Sequence, residues 1–138
     1  MDRALREIAR VLRGGGVFIV EDSIVPGDPG LDRFMNELET VRDATHVRSL
    51  TLAEWQHKVA AAGMVAEQTA ICRKTHDVAD WIARAGLDDA GAERVQAAFG
   101  RASDAAIACF DIVFSGRRAV SFTDEKVILR ARKPEGER

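Results

Sequence analysis

The chain has 138 residues, with 20 basic and 22 acidic side chains and a net charge of −2. This length allows one hydrophobic core. Because basic and acidic side chains are almost equal in number, the chain lacks the excess of positive charge expected of a protein that binds nucleic acid or anionic lipid. No apolar run is long enough to span a bilayer, and no secretory signal is present. Cys72 and Cys109 lack metal-type spacing and are predicted to be reduced core thiols. Together these features predict a cytoplasmic domain without a metal site or a membrane partner.

The first 22 residues predict a helix followed by a buried strand. Apolar residues recur there at helical spacing, at Ala4, Leu5, Ile8, Val11 and Leu12. Three glycines then precede the wholly apolar run Val17–Val20, which ends at Glu21 and Asp22. Such a run is typical of a parallel strand covered on both faces. Because a parallel strand entered from a helix normally has another strand before that helix, the pattern predicts the later half of an α/β fold.

Two helices with clear start signals come next. Asp28 caps the first, whose apolar stripe consists of Leu31, Phe34, Met35, Leu38 and Val41. Thr51 and Glu54 form the capping box of the second, which Gly63 ends. The polar segment 42–48 lies between the two helices.

The second half predicts a strand at 64–73, a helical segment up to residue 109, and a β-rich end. The last predicted strand, 126–132, alternates apolar and basic residues, which favours an antiparallel strand near a sheet edge. On that interpretation its basic residues Lys126, Arg130 and Arg132 form a solvated face. Residues 135–138 are predicted to be a disordered tail.

The order of these elements, with certain residues, resembles class I S-adenosylmethionine-dependent methyltransferases, in the type 11 branch related to ubiquinone and menaquinone methylases. Leu5–Asp22 is similar to the helix, proline–glycine–glycine turn and strand found late in that fold. Arg42–Trp55 is similar to the "RDPSHVR…EW" stretch of one subgroup that acts on small molecules. Phe122–Pro134 is similar to the last strand, which is antiparallel and inserted beside the preceding one. The resemblance implies a partial Rossmann-like fold over residues 1–134.

The same resemblance implies a small-molecule methyltransferase that uses S-adenosylmethionine, but the chain departs from the family in two ways. Gly14 replaces the usual proline, and no glycine-rich loop leads from a strand into a helix. The glycines 14–16 follow a helix and enter a strand, the reverse of a cofactor-cradling order. No cofactor-binding residue is therefore assigned. We expect a chain that is truncated and inactive alone; the alternatives are a dimerising binding module and a half-enzyme completed by a cofactor-binding subunit.

Five residues are candidates for the chemistry. His46 and Asp22 are the candidate catalytic bases, because methyl transfer to oxygen or nitrogen often requires removal of a proton. Arg48, Arg42 and Trp81 are the candidate substrate-binding residues.

Structural interpretations of the same residues remain open. Asp22 also suits a polar strand end, and the segment that contains Arg42, His46 and Arg48 also suits an ordered loop in which His46 is a cap. Trp55 and Trp81 also suit the core, and His57 and His76 are predicted to lie on the surface.

Overall fold

A computed structural model describes residues 1–135, so positions 136–138 of the predicted tail lie outside the described residues. The elements, in chain order, are α1 (Asp2–Val11), β1 (Val17–Ile24), α2 (Pro29–Arg42), α3 (Leu52–Ala61), β2 (Val65–Asp77), α4 (Val78–Ala83), α5 (Asp89–Phe99), α6 (Asp104–Cys109), β3 (Val113–Ser115) and β4 (Arg118–Arg132). Among the described residues, no helix combines the length and the apolar character that crossing a membrane requires.

The strands form one sheet in which β1, β4 and β2 follow in that order, and β3 pairs with β4. The β3–β4 pair is antiparallel, with Phe114 opposite Ala119. The sheet therefore confirms the partial α/β fold with antiparallel C-terminal strands. The predicted edge position of residues 126–132 is wrong, because β4 lies between two other strands.

The chain divides into two compact units, and the first contains Met1–Ile24, Leu50–Cys72 and the segment from Lys126 onward. Its core joins α1, α3, β1 and β4 and consists of Leu5, Ala9, Ile24, Leu50, Trp55, Val59, Met64, Val127, Leu129 and Ala131. The Thr51 side chain accepts from the Glu54 amide and the Glu54 side chain accepts from the Thr51 amide, which confirms the predicted capping box. Gly63 has a φ of +82°, as its predicted role at the end of α3 requires.

The second unit contains Val25–Ser49 and Arg73–Glu125. Its core is formed by residues of α2, α4, α5, α6 and β4. It includes four aromatic side chains, Trp81, Phe99, Phe110 and Phe122. Asp28 caps α2 by accepting from the amides of Gly30 and Leu31 at 2.8 and 3.0 Å, as predicted.

Three expectations about burial are wrong. β1 is not covered on both faces, since Ile19 is 62% exposed and Val17 is 36% exposed. Cys72 is exposed rather than in the core, while Cys109 is half-buried; both are free thiols. The basic residues of β4 are not simply solvated: Arg130 and Arg132 both pair with Glu67 of β2, and Lys126 bonds the Ser23 hydroxyl. For β1, Cys72 and the basic residues of β4, the cause is the position of the strand in the sheet, which local sequence does not specify.

Candidate functional site

Two side chains of α2, Asn36 and Asp32, bind the polar segment that follows this helix. The Asn36 Oδ1 accepts the Ser49 amide proton at 2.7 Å, and its Nδ2 donates to the Asp32 Oδ1 at 2.6 Å and to the Ser49 carbonyl at 3.3 Å. Asn36 and Asp32 are one helical turn apart and therefore lie on the same face of α2. This arrangement holds the Ser49 end of the segment against one face of the helix.

His46 lies within this network. Its Nε2 is 3.0 Å from the Asn36 Oδ1, and its amide donates to the Asp43 carbonyl at 3.0 Å. The ring is half-buried. The structure therefore holds His46 in a defined position, and a held imidazole is what general-base chemistry requires.

Arg48 belongs to the same network through Asp32. The Arg48 Nη2 donates to the Asp32 Oδ2 at 2.5 Å, while the other Asp32 oxygen accepts from Asn36. The Arg48 side chain remains 38% exposed. Two of the candidate residues, His46 and Arg48, are thus brought together by a pair of α2 side chains that the sequence analysis did not single out.

Arg42 and Trp81 form a second pair of candidate residues that meet in the second unit. The Arg42 guanidinium lies over the Trp81 ring, 4.3 Å from its centroid, and its Nε donates to the Trp81 carbonyl at 3.0 Å. Arg42 also pairs with Glu39 at 3.3 Å. Trp81 is only 4% exposed and packs edge-on against Phe99 and Phe122. Its position matches the core interpretation, so a direct contact of Trp81 with substrate stays a prediction.

Asp43 begins the segment that carries His46. Its carboxylate accepts from the Thr45 hydroxyl at 2.7 Å and from the Thr45 amide at 2.8 Å. These two hydrogen bonds, the hydroxyl first, hold the pKa of Asp43 below its ordinary value of 3.8. Asp43 therefore acts locally, as the anchor of a tight turn ahead of His46.

Asp22 lies in the first unit, near the end of β1. Its Oδ1 accepts the amide proton of the next residue, Ser23, at 2.8 Å, and the side chain is half-buried. This contact fits the interpretation of a polar strand end. A catalytic role for Asp22 stays a prediction.

The second unit also contains a buried polar pair that the sequence alone did not indicate. His76 and Asp124 are each 5% exposed by side chain, and the His76 Nε2 is 3.0 Å from the Asp124 Oδ1. The His76 ring stacks on Phe122 with centroids 4.9 Å apart. The prediction that His76 lies on the surface is therefore wrong: β2 extends to Asp77, which brings His76 beside β4.

The glycine turn before β1 has a structural role in this chain. The Gly15 amide donates to the Lys133 carbonyl and the Gly16 amide donates to the Arg13 carbonyl, both at 2.9 Å. A Cβ atom at Gly16 would lie 2.8 Å from the Arg13 carbonyl oxygen, so the turn needs glycine there for space. Because these two amides are already used, the turn does not fit the role of a cradle for S-adenosylmethionine.

The second unit also holds a cavity of about 420 Å³ between α2 and α5. Its apolar wall includes Leu31, Phe34, Leu38 and Ala98, and its polar lining includes Arg33, Glu37 and Arg101. This volume lies in the range of small-molecule pockets, roughly 300–1,000 Å³.

Comparison with known proteins extends over almost the whole chain. The chain is 31% identical over 132 residues to YcgJ of Bacillus subtilis, named as an uncharacterized methyltransferase, covering 95% of this chain and 52% of YcgJ. It is 33% identical over 81 residues to the uncharacterized protein YafE of Escherichia coli, covering 59% of this chain and 39% of YafE. No protein-family model matches the chain.

Two solved structures also resemble this chain along almost its whole length. A candidate methyltransferase from Bacillus halodurans, BH2331, superposes with a TM-score of 0.92 at 27% identity, over 96% of this chain and 62% of that one. The YcgJ crystal structure superposes with a TM-score of 0.91 at 32% identity, over 98% of this chain and 58% of that one.

These likenesses confirm the resemblance found in the sequence: the chain is a relative of methyltransferases and shares their fold along its length. It spans about half the length of the curated relatives that it matches.

Proposed function

We propose that this chain supplies the substrate side of an S-adenosylmethionine-dependent methyltransferase that acts on a small molecule. The observation that carries the proposal is the held imidazole of His46, 3.0 Å from Asn36, in a chain related to methyltransferases. In this role His46 takes a proton from the acceptor group of the substrate. The cavity between α2 and α5 is a separate feature, because neither His46 nor Arg48 lines it.

Arg48 has one proposed role, and Arg42 and Trp81 share another. Arg48, with more than a third of its side chain exposed, binds an acidic group of the substrate. Arg42 and Trp81 act as one stacked unit that holds the end of α2 in place beside the segment that carries His46. We also propose that the protein works in the cytoplasm, which agrees with its two free thiols.

The glycine turn before β1 does not fit the methyl donor, since it uses its amides internally. We propose that the cofactor is held by residues outside the described part of the chain. A calorimetric titration of the purified chain with S-adenosylhomocysteine is expected to show no binding. One-to-one binding would contradict this part of the proposal, because it would place a cofactor site within the chain.

The activity is tested by a chimera with YcgJ. This chain would replace the segment of YcgJ that it matches, and methyl transfer would be followed as S-adenosylhomocysteine released over a panel of hydroxylated and aminated small molecules. We expect turnover of at least one of these compounds. His46→Gln is expected to lower kcat by a factor of about 100 or more. His57→Gln is the matched control, since His57 is exposed on α3. A chimera that folds, binds the cofactor and methylates none of these compounds would contradict the proposal.

One observation favours a second candidate function, that of a module that binds a protein partner. In the first unit, β1 exposes Val17 and Ile19, and the outer faces of β2 and β4 expose Val65, Ile71 and Ile128, which are 56%, 47% and 42% exposed. β1 also lies at the end of the strand order, where a further strand can pair with it. The partner is either a second copy of the chain or a cofactor-binding subunit.

Sedimentation velocity distinguishes these two possible partners. A dimer that Ile19→Lys dissociates would support self-association, and a monomer that captures a cofactor-binding subunit would support a half-enzyme. Val47→Lys is the control, because Val47 is 92% exposed but belongs to no strand. A strictly monomeric chain without such a subunit would exclude this second candidate.

A further inference from the structure

The orientation of the Asn36 side-chain amide is determined by its neighbours. The Ser49 backbone amide can only donate, so the Asn36 atom 2.7 Å from it must be the oxygen. The other end of the Asn36 amide lies 2.6 Å from the Asp32 carboxylate and 3.3 Å from the Ser49 carbonyl, and both of these groups accept. Exchanging the oxygen and nitrogen would place two donors or two acceptors in contact at each of these positions.

This orientation has a consequence for His46. Its Nε2 lies 3.0 Å from the Asn36 Oδ1, which has lone pairs and no proton. A hydrogen bond between these atoms requires the proton to be on Nε2. A neutral imidazole with its proton on Nε2 has its free lone pair on Nδ1.

We propose that Asn36 is a positioning residue that selects the tautomer of His46 and so makes Nδ1 the basic nitrogen of the site. The proposal rests on the function proposed above and names which atom of His46 accepts the proton. The O–H or N–H bond of the substrate breaks, a bond from Nδ1 to hydrogen forms, and the electron pair stays on the acceptor atom, which becomes the nucleophile. The imidazolium keeps its Nε2–H bond to Asn36 and later returns the Nδ1 proton to water.

The same network explains why this side chain is an asparagine. A leucine of similar size would leave the Ser49 amide and the His46 Nε2 without the acceptor they now share. An aspartate would face the Asp32 carboxylate at the distance of the present hydrogen bond and would repel it. Among these three side chains, only asparagine accepts from His46 and donates to Asp32 at once.

The test is ¹⁵N-edited NMR of the complete chain with labelled histidine, at a pH where the rings are neutral. His57 is the internal reference, because it is exposed and its ring has no hydrogen-bond partner among the described residues. We expect the ratio of Nε2–H to Nδ1–H tautomer to be about tenfold higher for His46 than for His57, the effect of roughly one hydrogen bond. Asn36→Leu is expected to bring the His46 ratio down to that of His57.

Thr45→Val is the matched control variant. It removes the Thr45 hydroxyl bond to Asp43 in the same segment without touching the His46 ring, so the tautomer ratio of His46 should not change. A His46 ratio equal to that of His57, or reversed, in the unsubstituted chain would overturn the proposal even if Asn36→Leu fails to fold. The tautomer is read without any turnover, so a negative methylation result leaves this measurement separate from the proposed function.

Discussion

His76 and Asp124 form a buried hydrogen bond of 3.0 Å between side chains that are 48 residues apart in the chain. Phe122, two residues before Asp124, stacks on the His76 ring and in turn packs against Trp81 at 5.0 Å. The Trp81 ring lies under the Arg42 guanidinium. A continuous series of contacting groups therefore runs through the second unit, from a buried carboxylate to the end of α2.

The buried pair predicts a characteristic pattern of stabilities. His76→Phe preserves the stack on Phe122 but removes the hydrogen bond from the ring to the buried Asp124 carboxylate, and we expect the free energy of unfolding to fall by about 1–3 kcal/mol. The double variant His76→Phe/Asp124→Leu should be more stable than His76→Phe, since both polar groups are then removed together. Urea unfolding followed by tryptophan fluorescence measures the free energy of unfolding of each variant. If the double variant lost as much unfolding free energy as His76→Phe and Asp124→Leu together, the pair would not be coupled.

The stack of Arg42 on Trp81 predicts that lysine cannot replace this arginine. Arg42→Lys keeps the charge but loses the planar contact at 4.3 Å and the Nε bond to the Trp81 carbonyl. We expect a loss of about 1–2 kcal/mol in unfolding free energy. Arg33→Lys, on the exposed side of α2, is the control and should change stability by less than about 0.5 kcal/mol. Equal effects of the two substitutions would be evidence against the stacked contact.

Asp43 predicts a pH dependence with a definite sign. Because hydrogen bonds from Thr45 lower its pKa in the folded chain below 3.8, this contribution to stability is complete above about pH 4 and is lost as the pH falls through the lowered value. Thr45→Val removes the larger of these hydrogen bonds. The stability difference between the chain and this variant should therefore be largest near neutral pH and shrink toward pH 2. A difference that does not vary with pH would contradict this assignment.

The two thiols are predicted to differ in reactivity. Burial raises the pKa of Cys109, so less of it is thiolate at neutral pH. Cys72 is exposed on β2. Alkylation with iodoacetamide at pH 8, followed by mass spectrometry, should modify Cys72 well before Cys109. Cys72→Ser should then leave a chain that reacts slowly until it is unfolded in urea; fast modification of this variant in its folded state would refute the prediction.

The local structure of this protein could be predicted from its amino-acid sequence. The cap at Asp28, the capping box of Thr51 and Glu54, and the apolar spacing of α2 depend on residues within a few positions of one another, so short-range patterns reveal them. The relation to methyltransferases was also visible, because ordered motifs at Leu5–Asp22 and Arg42–Trp55 survive in a single chain. Of the site, sequence alone named His46 and Arg48.

Contacts between residues that are distant in the chain could not be predicted without the folded structure. Whether β4 lies at an edge or between β1 and β2 depends on strand pairing, and that pairing alone joins Glu67 to Arg132 and His76 to Asp124. The role of Asn36 was equally invisible, since a mid-helix asparagine has no signature until the loop carrying His46 and Ser49 folds against it. Local hydrogen bonds are set by neighbours in the chain, whereas these contacts are set by the packing of segments that are distant in it.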